Sequence, residues 1–194
     1  SSDYTGSASA TLAEATSLNS GYRWGTGTSG TTLTYKFFTA LPSYYSASAQ
    51  EANNFREFNT QMKGAVDRVL DQIETFTNIK FVETTGSTTQ LGFAQASLPT
   101  GVGAWAYYPS TNSMGGDVWT NNNYASTQNP VEGNYAFYVL MHEIGHALGL
   151  QHSFTAGLTG DEASSRYSVM AYDWSPFFSS SYMVYDIAAL QKIY

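Results

Sequence analysis

The chain has 194 residues, of which 42% are apolar and 12% charged, and it contains 15 Tyr, 11 Phe and 4 Trp. This length and composition exclude a disordered chain and favour one domain with a packed core. Eight Lys and Arg against 15 Asp and Glu give a formal charge of −7, so nucleic acid and anionic membrane surfaces are disfavoured as partners.

The first half of the chain predicts a strand, a long helix and then short strands. A short helical pattern covers residues 11–18, and residues 32–37 alternate apolar and polar side chains as a half-buried strand does. Apolar residues recur every three or four positions over residues 48–76, which predicts a long helix. Four strand-like runs follow, bounded by Gly, Ser, Thr, Pro and Asn: residues 79–83, 90–94, 103–108 and 116–120.

The second half predicts two further helices, over residues 134–148 and 185–193, the first of them ended by Gly149. The longest apolar run, residues 135–141, is far shorter than the roughly 20 residues that cross a membrane, so we expect no membrane insertion. A strand and a long helix followed by several short strands predict an α+β fold, a mixed sheet with helices packed on it.

All three His of the chain fall within one eleven-residue window. On a helix, His142 and His146 lie on one face a turn apart, so both rings can bind one metal ion. Gly149 can adopt the left-handed conformation that ends a helix, which allows the chain to bring His152 to the same ion. Three His leave the fourth tetrahedral position open, as in catalytic zinc sites. Glu143, about 100° around the helix from His142, can act on a ligand beside the metal.

The pattern formed by His142, Glu143, His146, Gly149 and His152 could also arise by chance or from a purely structural zinc site. At average residue usage the pattern arises by chance about once in 10⁵ chains of this length. Structural zinc sites usually have four protein ligands, and this chain has no Cys and no fourth His, so a carboxylate would have to complete one. The pattern therefore favours a catalytic zinc ion.

The zinc pattern, followed by a candidate Met turn at residues 168–172, resembles the signature of the metzincin zinc endopeptidases. Within that clan the chain is most similar to the catalytic module of the serralysin family of secreted bacterial proteases, also at residues 22–24, 33–37, 115–119 and 185–194. Ser153 stands where serralysins often have Pro. At this position the chain is more similar to the related matrixins. The Gly- and Asp-rich repeats of the serralysin calcium-binding β-helix do not occur in this sequence.

The resemblance implies the metzincin zincin fold as a single catalytic domain over residues 1–194. Its upper subdomain, about residues 1–149, would hold a twisted mixed sheet of about five strands, a long helix and the zinc-binding helix. Its lower subdomain, about residues 150–194, would be smaller, irregular and ended by a helix. The substrate cleft would run between the two.

The resemblance also implies roles outside the His window. Met170 would pack beneath the zinc ligands, and Tyr172 would reach the zinc and swing away to bind the transition state, although either could simply be a packing residue. The pocket for the residue after the scissile bond would lie between the zinc helix and residues 172–178. An extended substrate would add as a strand to a sheet edge, unless the aromatic residues there belong to the core; this edge is Gly103, Ala104, Trp105, Ala106 and Tyr107.

These observations predict a secreted, extracellular bacterial zinc endopeptidase that is monomeric and acts on protein or peptide substrates. One catalytic Zn²⁺ would lower the pKa of its water to about 7, with Glu143 as general base and then general acid. Calcium could bind at Asp117 or at loop carbonyls, although a single Asp in a Gly-rich loop is more often a turn residue. Two alternatives stay open: a zinc-containing binding or adhesion module that does not cut, and a zinc amide hydrolase of narrow specificity.

Overall fold

The computed structural model describes residues 16–27, 29–174 and 177–194. Of the helical segment predicted at residues 11–18, the first five residues lie outside this range. Within the described residues no helix has both the length and the apolar character needed to cross a membrane.

Five strands form one mixed sheet in the order β2-β1-β3-β5-β4. Strand β4 lies at one edge, antiparallel to β5, and the other neighbouring strands are parallel. With its helices, this sheet confirms the predicted α+β class and the five-strand zincin architecture. The strands are β1 (Thr31–Phe37), β2 (Ile79–Glu83), β3 (Leu91–Ala96), β4 (Ala104–Ala106) and β5 (Asp117–Asn121); the helices are α1 (Thr60–Phe76), α2 (Tyr135–Leu148) and α3 (Val184–Ile193).

The two faces of the sheet pack against different parts of the chain. Helices α1, α2 and α3 bury one face in a large core, and a smaller aromatic cluster covers the other face. Strand β3 lies between them, and all six of its residues are buried, as expected for a parallel strand covered on both sides.

Helix α1 begins at Thr60, so the predicted helix over residues 48–76 was wrong in its first twelve residues. The backbone of Asn59 is extended and its side chain accepts a hydrogen bond from the Met62 amide, which is an N-cap. Upstream, Asn54 has a positive φ of 53°, and the backbone of Arg56 pairs with Gln95. The helical spacing was misleading because this stretch forms only one 3-10 turn, Gln50–Ala52, and Phe55 and Phe58 pack onto the sheet from the loop that follows it.

Helix α2 ends at Gly149 as predicted, in the left-handed conformation with φ 111°. The Asn134 side chain caps its start by accepting from the Phe137 amide. A Cβ atom on residue 149 would lie only 2.1 Å from the Tyr22 carbonyl oxygen, so the close approach of that segment also requires glycine.

The end of α2 is held by residues from both ends of the described chain. The Trp24 indole donates to the Ala147 carbonyl at 2.9 Å, and the Tyr194 hydroxyl donates to the Leu148 carbonyl at 2.7 Å. These carbonyls belong to the last turn of the helix, which has no partners of its own for them. The turn after α2 is thereby fixed in place.

Candidate metal centre

The three His side chains converge on one point. His142 and His146 project from α2, and the turn at Gly149 brings His152 back beside them. Their Nε2 atoms are 3.1 Å apart for the pairs His142–His146 and His142–His152, and 3.0 Å apart for His146–His152. Among the described residues, these three side chains form the one group of at least three His, Cys, Asp or Glu that could hold a metal ion.

Backbone carbonyls orient the two helical rings. The Nδ1 atom of His142 lies 2.8 Å from the Val169 oxygen, and that of His146 lies 2.7 Å from the Leu150 oxygen. A carbonyl only accepts hydrogen bonds, so each Nδ1 carries a proton, and each neutral ring turns the Nε2 lone pair toward the centre. Burial lowers the pKa of His142 to about 4 and that of His146 well below its ordinary value, which keeps both rings neutral.

The donor set fits a zinc ion. Nitrogen lone pairs that face each other at about 3 Å repel unless a cation lies between them. Tetrahedral coordination with Zn–N distances of 2.0–2.1 Å separates two nitrogen ligands by about 3.3–3.4 Å, a few tenths of an ångström more than observed. Three imidazoles suit zinc among the divalent metals.

Glu143 stands beside the triad. Its side chain is buried, with 7% of its surface exposed, and it lines both cavities that meet at the His group. Burial raises the pKa of the Glu143 carboxyl to about 8. A cation bound nearby would lower this pKa. The carboxylate is thus placed to exchange a proton with a molecule bound next to the three nitrogens.

Tyr172 also lies at the centre, where the sequence places it. Its hydroxyl is 3.0 Å from the Nε2 atom of His152, and its ring stacks on that of His142 at 5.7 Å. More than half of the side chain is exposed. This position allows the hydroxyl to reach a group bound at the His triad.

Met170 is fully buried beneath α2, where its Sδ atom faces Gly145. The turn that carries it is held by Asp186, which sequence reasoning missed. The Asp186 carboxylate accepts from the Ser168 hydroxyl at 2.7 Å and from the Val169 amide at 2.9 Å. The Val169 carbonyl orients His142, so Asp186 acts on the triad indirectly, by holding the Met turn in place. No local sequence pattern links an Asp in α3 with that turn.

Strand β4 offers only some of its predicted substrate contacts. The Gly103 carbonyl and both backbone groups of Tyr107 bond toward β5, and Trp105 pairs with Trp119. Because backbone groups alternate between the two sides of a strand, those of Ala104 and Ala106 face the free edge. The rings of Trp105 and Tyr107 pack against the aromatic cluster on the opposite face.

Two cavities meet at the His triad beside β4. The larger, of about 320 Å³, lies between residues 101–104 and α2, and Tyr172 and Trp174 of the predicted wall at residues 172–178 also line it; residues 175 and 176 of that wall lie outside the described residues. The smaller, of about 220 Å³, contains the three His. Two aromatic residues of α2 that the sequence did not indicate, Tyr135 and Tyr138, line the larger cavity. The rest of its lining includes Val139, Tyr172 and Trp174.

Asp117 is buried away from the triad. Its Oδ2 atom accepts from the Tyr44 hydroxyl at 2.9 Å and from the Tyr45 hydroxyl at 2.8 Å, and burial raises its pKa to about 7. Nearby, buried Glu51 accepts from the Tyr107 hydroxyl. Calcium at Asp117 stays a prediction.

Comparison with known proteins agrees with this geometry. Residues 6–186 match the family model Reprolysin_5, described as metallo-peptidase family M12. Serralysin C of Dickeya chrysanthemi is 30% identical over 188 residues, 84% of this chain and 38% of the relative. Metallopeptidase AprA of Pseudomonas marginalis is 31% identical over 190 residues, 84% and 39% of the two chains. Serralysin of Photorhabdus sp. (strain Az29) is 31% identical over 202 residues, 89% and 41%. The chain spans about two fifths of the length of these relatives.

Proposed function

The chain belongs to metallopeptidase family M12 as a serralysin-like metzincin module, and from that premise we propose that it is a zinc-dependent endopeptidase. The observation that carries the proposal is the convergence of three Nε2 atoms within 3.1 Å of one another. A buried carboxylate and a free sheet edge border the same point. These are the parts that peptide hydrolysis requires: a metal site, a base and a place for an extended chain.

His142, His146 and His152 would hold the zinc ion through their Nε2 atoms. When bound, zinc supplies a Lewis acid that lowers the pKa of water and polarises a carbonyl group. The carbonyls of Val169 and Leu150 keep two of the rings in the ligating tautomer, with Nδ1 protonated.

Glu143 would act as general base and then general acid. Its carboxylate takes a proton from the attacking water and then delivers it to the amine that leaves. Only 7% of the Glu143 side chain is exposed, which favours keeping the proton on Glu143 between the two steps. The Tyr172 hydroxyl, beside the His triad, donates a hydrogen bond to the negative charge that develops on the substrate oxygen.

The substrate would be an extended polypeptide that pairs with the free edge of β4. The backbone groups of Ala104 and Ala106 supply its hydrogen bonds, which require no particular side chains. One substrate side chain enters the cavity of about 320 Å³, whose walls are aromatic and aliphatic apart from the groups of the metal centre. Large uncharged side chains fit this lining best.

The proposal extends to the setting in which the protein works. As the resemblance implies, we expect a secreted, extracellular bacterial enzyme that acts as a monomeric single domain on protein or peptide substrates. The formal charge of −7 does not favour nucleic acid. Calcium at Asp117 or at loop carbonyls belongs to this proposal and is separate from the single catalytic zinc.

Hydrolysis of unfolded casein by the purified chain tests the proposal. We expect cleavage that 1,10-phenanthroline abolishes and that stoichiometric zinc restores. A chain that holds one zinc ion yet cleaves neither casein nor any short peptide would contradict the proposal and favour a binding or adhesion module. Cleavage confined to one amide substrate would favour the narrow hydrolase.

A further inference from the structure

Two tyrosine rings lie at the end of the cleft that is farther from the larger cavity. Tyr108 lines the smaller cavity, and its ring is nearly perpendicular to that of His146, with the centroids 5.6 Å apart. Tyr22 stacks on Tyr108 with the centroids 5.4 Å apart and an angle of 22° between the planes. Fully 55% of the Tyr22 side chain is exposed. We call this pair the Tyr22–Tyr108 platform.

The backbone beneath Tyr22 is fixed, so the platform is already formed before anything binds. The amide and the hydroxyl of Ser20 both donate to the Gly149 carbonyl, at 3.0 and 2.6 Å. The Gln151 amide donates to the Leu18 carbonyl at 2.8 Å, and Tyr22 packs its own carbonyl against Gly149. A preformed surface loses little entropy when it binds a ligand.

The platform presents an uncharged surface. The neighbouring guanidinium of Arg23 donates to the Gly27 carbonyl and lies over the Tyr194 ring, 5.2 Å from its centroid. That charge therefore has partners of its own. The exposed face of Tyr22 suits an aromatic side chain, since stacked or edge-to-face ring pairs add to the binding free energy.

The course of β4 determines which part of a substrate reaches the platform. The larger cavity lies at residues 101–104 and the smaller one at residues 104–108. A peptide that pairs antiparallel with β4, the commoner arrangement, runs with its N-terminal part along Ala106 and Tyr108. Glu143 and Ala104 line both cavities, so the scissile bond lies near Ala104. Tyr108 is four residues along, at most about 13 Å if the chain continues extended, and thus opposite the third or fourth substrate residue.

We propose that the Tyr22–Tyr108 platform is a specificity subsite for an aromatic side chain about three residues before the scissile bond. The inference rests on the proposed function, because it assumes that a peptide occupies the edge of β4. Tyr22 acts by direct contact with the substrate ring and takes no part in the proton transfers.

Peptide binding tests the subsite without requiring turnover. Two fluorescein-labelled peptides carry Leu directly after the intended scissile bond and differ only in Phe or Ala at the third residue before it. Their dissociation constants are measured by fluorescence anisotropy on the zinc-loaded E143Q chain, in which cleavage is removed. We expect the Phe peptide to bind about 2- to 10-fold more tightly.

Adding Tyr22→Ala to the E143Q chain should bring the ratio of the two dissociation constants close to one, and Tyr22→Phe should preserve it. Val82→Ala removes an equally exposed apolar side chain from β2, at the opposite edge of the sheet, and should preserve it too. Equal binding of both peptides by the E143Q chain, or an equal loss for both in Tyr22→Ala, would overturn the inference. If the ratio depends on Tyr22 but the wild-type chain cleaves nothing, the contact between the platform and an aromatic peptide side chain is supported and the proposed function fails.

Discussion

The Sδ atom of Met170 would lie 2.8 Å from a Cβ atom on Gly145, closer than such a pair of atoms packs. Gly145 directly precedes the ligand His146 in α2, where glycine costs roughly 1 kcal/mol of helix stability relative to alanine. The helix therefore gives up intrinsic stability at this position to let the Met turn pack directly beneath the metal ligands.

Gly145→Ala should destabilise the protein. Overpacking against buried Met170 costs about 1–3 kcal/mol, and the better helix propensity of alanine offsets about 1 kcal/mol of that cost. Urea unfolding of Gly145→Ala, Met170→Ala and the double variant measures the coupling between the sites. The second substitution should relieve the first, with a coupling free energy of at least about 0.5 kcal/mol. Strictly additive losses would contradict the contact.

His152→Ala should lose zinc, since two ligands remain where three converge. Zinc content after dialysis should fall from one ion per chain to far below one, and added zinc should no longer raise the melting temperature. Ser153→Ala is a matched control in the next residue. The buried Ser153 hydroxyl has no hydrogen-bond partner in the described part of the chain, so this variant should keep its zinc. Equal zinc content in both variants would argue against His152 as a ligand.

Gly149→Ala should be more destabilising than a substitution that only strains the backbone. Left-handed backbone costs a non-glycine residue roughly 1–2 kcal/mol. At Gly149 the new Cβ would also lie 2.1 Å from the Tyr22 carbonyl oxygen. Gly157, with φ 81° and open space around its Cβ position, provides a control that carries the strain alone. In urea unfolding, Gly149→Ala should lose at least about 1 kcal/mol more than Gly157→Ala; equal losses would contradict the close packing of Tyr22.

Residues close in sequence were the predictable part of the metal centre. The spacing of His142 and His146 follows from one helical turn, and Gly149 marks the end of that helix by its own conformational freedom. Contacts between distant segments leave no such pattern. The Trp24 indole and the Ala147 carbonyl are 123 positions apart, and neither residue type indicates the other.

Helix α1 shows the limit of periodicity. A spacing of three to four residues continues upstream of Asn59, but it cannot distinguish a helix from a loop whose apolar residues, here Phe55 and Phe58, pack onto the sheet. Helix α1 starts at Thr60 because the Asn59 side chain caps it and the backbone of Arg56 pairs with Gln95 instead of continuing the helix. In β4, a short run between turn residues predicted a strand but could not show that the backbone groups of Ala104 and Ala106 face the free edge.

Asp117 should make folding stability fall as the pH rises from about 4 to about 7. Burial raises its pKa in the folded protein to about 7, while Tyr44, Tyr45 and nearby Glu51 face it. In that window the folded chain keeps a proton that the unfolded chain has released. The free energy of unfolding then decreases with pH, by at most about 1.4 kcal/mol per unit.

Urea unfolding at several pH values, with Asp117→Asn as the comparison, isolates this effect. Other groups contribute equally to both proteins, so the difference between them should change over pH 4 to 7 and level off above that range. A difference that is independent of pH would show that the Asp117 carboxyl titrates normally in the folded protein.

The most direct test of the central claim is casein hydrolysis by Glu143→Gln at matched zinc content. Glutamine keeps the size of the side chain but cannot accept and return the proton, so the rate should fall by at least about 10²-fold while one zinc ion per chain remains. Glu83→Gln makes the same charge change on the exposed far edge of the sheet and should leave the rate unchanged. A zinc-loaded Glu143→Gln chain that cleaves casein within about tenfold of the wild-type rate would contradict Glu143 as the base, and with it this account of peptide hydrolysis.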